Sequence, residues 1–170
     1  MSLKWIGAAL IIASCSLIGF SISAAYRQEE RQLRQLAAAM DYMVCELRCR
    51  MSALPELCKN AGAESKGPIG KLLLTLSEYL DAQSAPDVRG CLDLASAATI
   101  QLSPRTVEAV GLLGTSLGRF DLDGQLQGLE SVRSFCRSQL EIMSSGRETR
   151  LRSYQTLGIC AGAALAILFV

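Results

Sequence analysis

Two uncharged apolar stretches, one near each end of the chain, constrain its fold more than any other feature of the sequence. Neither residues 5–25 nor residues 154–170 contain a charged side chain. At 1.5 Å per residue, helices of these lengths reach about 30 Å and about 25 Å, against a hydrocarbon core about 30 Å thick. Trp5 and Tyr26 bracket the first stretch as interfacial anchors. The pattern predicts a membrane-spanning helix at each end, over residues 1–26 and 154–170.

Two other interpretations of the first stretch stay open. A secretory signal peptide would have Lys4 as its basic region and the small residues of 21–24 near its cleavage site. The segment 12–15, Ile-Ala-Ser-Cys, also resembles the lipobox that precedes a lipidated cysteine. Because the apolar run continues beyond this segment and exceeds the usual signal core, a retained membrane anchor is favoured.

Basic residues beside the two stretches predict the orientation of the chain. Basic side chains close to a membrane helix stay on the cytoplasmic side during insertion. Lys4 is the only basic residue before the first stretch, whereas arginines stand on the inner side of both stretches, at positions 27, 31, 34, 147, 150 and 152. Residues 27–153 are therefore predicted to form one cytoplasmic domain. Free cysteines within it agree with this assignment, because the cytosol keeps thiols reduced.

Composition and periodicity predict that this domain is helical. Aromatic residues make up 5% of the chain, and Leu, Ala, Arg and Gln are abundant, which favours helices over strands. Apolar side chains recur every three or four positions, the spacing of one helix face. The first stripe comprises Leu33, Leu36, Met40, Met43, Leu47 and Met51. The stripe of a fifth helix comprises Val107, Val110, Leu113 and Leu117. The prediction is an all-α, antiparallel bundle of about six helices, flanked by the two transmembrane helices.

Breaks in the periodicity predict where the helices of the bundle begin and end. The first helix is expected to continue to Met51, and Ser52 is expected to cap the second. Pro68 opens the third helix. The fourth is expected over residues 87–102, and Ser103 is expected to cap the fifth.

The glycines of residues 113–118 admit two interpretations. A phosphate-binding loop needs a lysine after its last glycine, and this segment lacks one and follows a helix. Packing and helix termination are therefore favoured. Gly111 and Gly114 permit close contact with a neighbouring helix, Gly118 takes the left-handed position after the fifth helix, and Asp121 caps the sixth. The fifth and sixth helices are predicted to form a tight hairpin.

Gly158 and Gly162 form a GxxxG pattern in the last apolar stretch. Small residues at this spacing let two membrane helices approach closely. The pattern favours a contact with the first stretch or with another protein.

No constellation for catalysis or cofactor binding is evident in the sequence. Histidine is absent, which removes the commonest general base and metal ligand. Three of the seven cysteines, Cys45, Cys49 and Cys58, could supply three zinc ligands, but no fourth ligand is evident, so small buried apolar side chains are favoured. The charge is nearly balanced, with 17 basic and 16 acidic residues, and indicates no nucleic-acid partner. Intrahelical ion pairs on a solvated face are expected among Glu29, Glu30, Glu46, Arg31, Arg34, Arg48 and Arg50.

Several short motifs recur in order across nearly the full length of the chain. They are Ile6-Gly7, Leu17-Ile18-Gly19-Phe20, Arg31-Gln32-Leu33-Arg34-Gln35-Leu36, Gly67-Pro68-Ile69-Gly70, Leu113-Gly114, Leu117-Gly118-Arg119 through Asp121 and Gln125, and Tyr154 with Leu157-Gly158. In this order and spacing the chain resembles the stage III sporulation protein AB family of endospore-forming bacteria.

The resemblance implies a non-enzymatic component of the secretion-like channel complex that joins mother cell and forespore. It places the chain in the outer forespore membrane, with the central domain in the mother-cell cytoplasm. That family is similar to the inner-membrane platform proteins of type II secretion and type IV pilus machines, whose cytoplasmic six-helix domains contact a motor ATPase. The chain departs from the platform proteins in having one helical domain instead of two, and in its richness in cysteine.

By that likeness, the expected partners are a hexameric secretion-type ATPase, other channel subunits and membrane lipid. No cofactor, nucleic acid or small-molecule substrate is expected. The residues expected to mediate interactions are Gly114, Gly118, Arg119, Asp121, Gln125, Gly158 and Gly162. The alternative function is a membrane-bound sensor or adaptor that uses its cysteines.

Overall fold

The computed structural model describes residues 2–117 and 122–145, with side chains from Ser21 onward. Within these ranges the chain forms six α-helices and no strand. The helices are α1 (Ser2–Arg50), α2 (Leu54–Glu64), α3 (Gly67–Asp81), α4 (Val88–Ala98), α5 (Pro104–Ser116) and α6 (Leu122–Ser145). The predicted all-α fold of about six helices is confirmed.

The chain divides into two units. The helical unit comprises Glu29–Glu141, and the terminal unit comprises Met1–Gln28 with Ile142–Val170. In the described part of the terminal unit, the Tyr26 hydroxyl donates a hydrogen bond to the Met143 carbonyl oxygen at 3.1 Å.

The predicted membrane helix over residues 154–170 lies outside the described residues, and so do the side chains of residues 5–20 in the first one. Across the parts of the chain that are described, none of the helices combines the length and the apolar character that a membrane crossing requires. The predicted boundary near residue 153 also lies outside them, so the division into residues 1–26, 27–153 and 154–170 stays a prediction.

Successive helices of the helical unit run antiparallel. The contacts that show this are Gly62 with Gly70 (α2 and α3), Tyr79 with Cys91 (α3 and α4), Leu92 with Gly114 (α4 and α5), and Ser116 with Gly128 (α5 and α6). The first and last helices also run antiparallel, since Arg48 pairs with Glu130 while Asp41 pairs with arginines one and two turns further along α6. The antiparallel arrangement predicted from the sequence therefore holds within this unit.

This serial order gives the helical unit two distinct ends. The near end holds Glu29 and Glu141, where the chain enters and leaves the unit, and the connections 65–66 and 99–103. The far end holds the other connections, among them residues 82–87. The pairing of α1 with α6 brings the entry and the exit to the same end.

Two of the predicted helix boundaries are wrong. The N-cap of α2 is Ala53 and not Ser52. The fourth helix ends at Ala98 instead of residue 102, because Thr99 is extended and Gln101 has a φ of 80°. A non-glycine residue in the left-handed region of φ and ψ cannot continue a right-handed helix.

The start of α5 is capped from another helix. Ser103 occupies the predicted N-cap position but makes no capping hydrogen bond with its side chain. Its hydroxyl instead lies 2.7 Å from that of Thr106. The Glu29 carboxylate on α1 accepts from the Arg105 backbone N–H at 3.4 Å and from its guanidinium at 3.1 Å. A carboxylate at this position satisfies a free N–H group and complements the helix dipole.

The core follows the predicted stripes with two exceptions. Leu33, Leu36, Met40, Met43 and Leu47 on α1 are all buried. The last expected member, Met51, is 72% exposed, because α1 ends at Arg50 and Met51 takes a φ of 50°. The prediction for Val107 is also wrong, because it is 48% exposed and Thr106 and Ala109 take its place in the core.

Candidate protein-interaction surface

A pocket of about 770 Å³ lies at the far end of the helical unit. It is formed by the α3–α4 connection, the start of α4 and the end of α5. Leu80, Cys91 and Leu117 give it an apolar lining, and Asp87 and Arg89 add charged groups. A pocket of this kind suits an apolar side chain of a partner that carries a neighbouring charge.

The α3–α4 connection that borders this pocket is held by its own backbone. The N–H groups of Ala82, Gln83 and Ser84 donate to carbonyl oxygens in the last turn of α3, at 2.9, 3.2 and 3.0 Å. Asp87 then caps α4, accepting from the Gly90 N–H at 3.0 Å. The connection therefore has both of its ends fixed, although most of its side chains are exposed.

Gly114 lines the same pocket. A Cβ atom at this position would lie 3.1 Å from the Leu92 side chain and 3.4 Å from the Cγ of Arg89. The absence of a side chain thus lets α4 approach α5 closely, as the sequence predicted for Gly114. The aliphatic part of the Arg89 side chain packs beside Gly114.

Arg89 is exposed and is the cation of the pocket. Among the described side chains, no carboxylate forms an ion pair with it. An unpaired guanidinium beside an apolar lining offers charge-assisted hydrogen bonds to a partner's carboxylate. Sequence reasoning missed this residue, because its position depends on the contact between α4 and α5.

The ion pairs of the helical unit are only partly those predicted. Glu30 with Arg34 and Glu46 with Arg50 are intrahelical, as expected. Glu29 and Arg48 instead pair across helices, with Arg105 at 3.1 Å and Glu130 at 2.6 Å. The expectation of intrahelical partners for these two residues is wrong.

The comparisons with known proteins agree with this fold. A family model described as stage III sporulation protein AB matches residues 4–170. The chain belongs to the stage III sporulation protein AB family. The resemblance predicted from the motifs is confirmed.

One curated member of the family, stage III sporulation protein AB of Bacillus subtilis (strain 168), is 22% identical over 178 residues, covering 99% of each chain. A solved structure titled stage III sporulation protein AB (SpoIIIAB) has a TM-score of 0.62 and 18% identity, and the match covers 72% of this chain and 98% of that one. At this identity the structural likeness supports the fold alone. The helical bundle is therefore shared with a solved member of the sporulation family.

The other predicted interaction residues are distributed around the far end or lie outside the described ranges. Gln125 is half-buried near the start of α6. The segment 118–121, which includes Gly118, Arg119 and Asp121, lies outside the described residues, and so do Gly158 and Gly162. Their roles stay predictions.

The five cysteines whose side chains the structure describes fall into two groups. Cys45 and Cys49 are exposed, whereas Cys58, Cys91 and Cys136 are buried. Burial raises the pKa of Cys58 from 9.0 to about 12 and that of Cys136 to about 11. A buried thiol that resists ionisation is a poor nucleophile and a poor metal ligand. Within the described part of the chain, no three Cys, Asp or Glu side chains converge on a metal-sized site.

Proposed function

We propose that the protein is a non-enzymatic, membrane-anchored assembly component of the sporulation channel complex between mother cell and forespore. In this proposal, residues 1–26 and 154–170 anchor it in the outer forespore membrane. The helical unit faces the mother-cell cytoplasm and presents its far end to partner subunits. Family membership supports the sporulation role, and the sequence supports the anchors.

The observation that carries the proposal is the shared position of the chain entry and exit. Asp41 on α1 forms ion pairs with Arg133 and Arg137 on α6, at 3.0 and 3.1 Å. This pairing brings Glu29 and Glu141 to the near end. Both uncharged stretches join the helical unit in sequence through this end. A surface at the far end is free for a partner.

The pocket at the far end supports a protein partner. Its lining of apolar and polar side chains, with Arg89 free of ion pairs among the described side chains, fits a partner segment with an apolar side chain beside a carboxylate. The predicted hairpin over 118–121 connects Ser116 to Leu122, at the same end. By the family's likeness to secretion platforms, the proposed partners are a secretion-type ATPase and other channel subunits.

Charge reversal at the far end tests this proposal. Arg89→Glu, Arg119→Glu and Asp121→Arg are each compared with Lys59→Glu, which changes an exposed cation on α2 outside the pocket. Recovery of channel subunits by co-purification from sporulating cells is expected to fall about tenfold or more, because like charges across an interface cost several kcal/mol. An isolated monomer, or equal loss with Lys59→Glu, would contradict the proposal.

Anchoring has its own test. Alkaline carbonate should leave the protein in the membrane fraction. A reporter inserted in the exposed residues 82–86 should be active on the cytoplasmic side. Carbonate extraction, or activity on the opposite side, would remove the basis for a cytoplasmic platform.

A second candidate function, the cysteine-dependent sensor or adaptor, rests on two exposed thiols. Cys45 and Cys49 lie one helical turn apart on α1 and are both exposed. The three buried thiols contribute little to such chemistry. Sporulation that is unchanged in a Cys45→Ser/Cys49→Ser variant would discard this function, and partner recovery in the same cells separates it from the platform.

A further inference from the structure

Ile100 is the most exposed of the large apolar side chains that the structure describes, at 83%. It lies in the α4–α5 connection, residues 99–103, at the near end of the helical unit. Exposure of one apolar side chain is ordinary. The residues around Ile100 distinguish it from other exposed apolar side chains.

The buried amide of Gln32 on α1 binds two residues of this connection. The Gln32 Nε2 donates to the Gln101 carbonyl oxygen at 2.6 Å, and the Ser103 N–H donates to the Gln32 Oε1 at 2.7 Å. Gln32 itself is only 2% exposed. Gln101 is held in the left-handed region, with a φ of 80°, which a residue with a side chain adopts at a cost. We call the two hydrogen bonds of Gln32, to Gln101 and Ser103, the Gln32 clasp. It fixes the backbone next to Ile100 in a conformation that leaves the Ile100 side chain exposed.

The surface around Ile100 combines apolar groups with cations. A groove of about 710 Å³ joins Ile100 to Pro68, Lys71 and Leu74, and Leu74 is itself 38% exposed. Exposed cations outside any described ion pair stand at the same end, namely Arg31, Lys66 and Lys71, and the exposed carboxylates of this end include Glu64 and Glu141. This pattern of an apolar tip within a basic rim is typical of surfaces that bind anionic lipid.

The length of chain before the helical unit limits how far this surface can lie from lipid. Glu29, which contacts Arg105 beside the connection, comes four residues after residue 25, the end of the uncharged stretch. Four residues span at most about 14 Å even when fully extended. In the proposed anchoring, the contact between Glu29 and Arg105 therefore lies within about 14 Å of the end of the uncharged stretch.

We propose that the α4–α5 connection docks on the anionic bilayer surface, with Ile100 inserted among the lipid headgroups. This inference rests on the proposed membrane anchoring. The near-end contact would hold the helical unit upright and direct the far end away from the lipid. A second copy of the chain is the rival occupant.

A single tryptophan probe tests the insertion in the full chain. Trp5 is the only tryptophan of the sequence, so Trp5→Phe gives a silent background. Ile100→Trp is the probe, and Met51→Trp is the control, because Met51 is comparably exposed but lies at the far end. Both variants are reconstituted in phosphatidylcholine/phosphatidylglycerol vesicles, with and without brominated acyl chains. Circular dichroism verifies that both keep the helical content of the parent.

The expected result is a blue-shifted Ile100→Trp emission that loses most of its intensity in brominated vesicles. The Met51→Trp emission should stay red-shifted and unquenched. Retention of the protein after carbonate treatment with an unquenched Ile100→Trp would overturn this inference alone. A blue shift without bromine quenching would assign the site to a second copy and overturn it as well. Extraction by carbonate would overturn the anchoring and this inference together.

Discussion

Gly70→Ala and Gly111→Ala add the same methyl group to two helices, with opposite expected effects on stability. A Cβ atom at Gly70 on α3 would overlap the Ser65 carbonyl oxygen and lie 3.0 Å from that of Gly62. Both obstacles are backbone atoms, so no side-chain rotation relieves the overlap. At Gly111 on α5, no heavy atom lies within 4 Å of the added carbon, so the close contact predicted for this glycine is wrong.

The magnitude follows from two opposing contributions. An extra methyl group in a packed crossing costs about 1–3 kcal/mol, and overlap with backbone places Gly70→Ala in the upper part of that range. Replacing a helical glycine by alanine raises the free energy of unfolding by about 0.5–1 kcal/mol. The free energy of unfolding is therefore expected to fall by about 1–2 kcal/mol in Gly70→Ala and to rise by about 0.5–1 kcal/mol in Gly111→Ala.

Thermal unfolding of the full chain in detergent, followed by circular dichroism at 222 nm, measures both effects. For a chain of this size, 1 kcal/mol corresponds to a melting-temperature change of about 2–4 °C. Gly111→Ala is the matched control, since it reports the helix propensity of alanine without a new contact. A Gly70→Ala melting temperature equal to or above that of Gly111→Ala would refute the close α2–α3 crossing.

Three further predictions concern the described thiols and the near-end clasp. At pH 8, iodoacetamide followed by mass spectrometry should label Cys45 and Cys49 and spare Cys58, which is buried with a pKa of about 12; rapid labelling of Cys58 would contradict its burial. The free energy of unfolding should fall above about pH 9, by up to about 1.4 kcal/mol per pH unit for each of Cys58 and Cys136, because the unfolded thiol releases a proton that the folded one keeps; titration of Cys58→Ala should show a smaller slope. Gln32→Leu should lower the free energy of unfolding, measured by chemical denaturation, by about 1–3 kcal/mol, because a backbone N–H and a carbonyl lose their partner. The control Gln127→Leu, on the exposed face of α6, should change this free energy little.

The helix positions were predictable because local chemistry determines them. Pro55, Pro68 and Pro104 stand in the first turns of α2, α3 and α5, where a missing N–H has no cost. Asp87 caps α4 as a short acidic side chain should. The prediction missed the end of α4, because Gln101 takes a left-handed backbone conformation that the local sequence does not predict for a residue other than glycine.

Contacts between distant parts of the chain were not predictable from periodicity. Gln32 lies 69 and 71 positions before its partners, and Glu29 lies 76 positions before Arg105. On a single helix, these side chains resemble ordinary polar residues of a solvated face. The burial of Gln32 depends on the α4–α5 connection reaching α1, which only the three-dimensional packing provides.

The candidate site was likewise predictable only where local sequence determines it. The close packing of Gly114 was predicted from its glycine-rich segment, but the same reasoning failed at Gly111, which has no neighbour within 4 Å of an added Cβ atom. Arg89 was missed, since nothing local distinguishes it from other exposed arginines. Its importance arises from Gly114, which supports its aliphatic part across the α4–α5 contact.

The serial antiparallel order explains how residues far apart in sequence share one surface. Alternate connections of such a bundle fall at the same end, so residues 51–53 and 82–87 both lie at the far end. The connections 65–66 and 99–103 must likewise lie at the near end, where the Gln32 clasp holds one of them. Substitutions that weaken partner binding should therefore cluster in separate windows around Arg89 and residues 114–125, whereas substitutions that weaken lipid contact should cluster around Ile100. A contiguous stretch of sensitive positions running along one helix from end to end would be incompatible with this separation of roles.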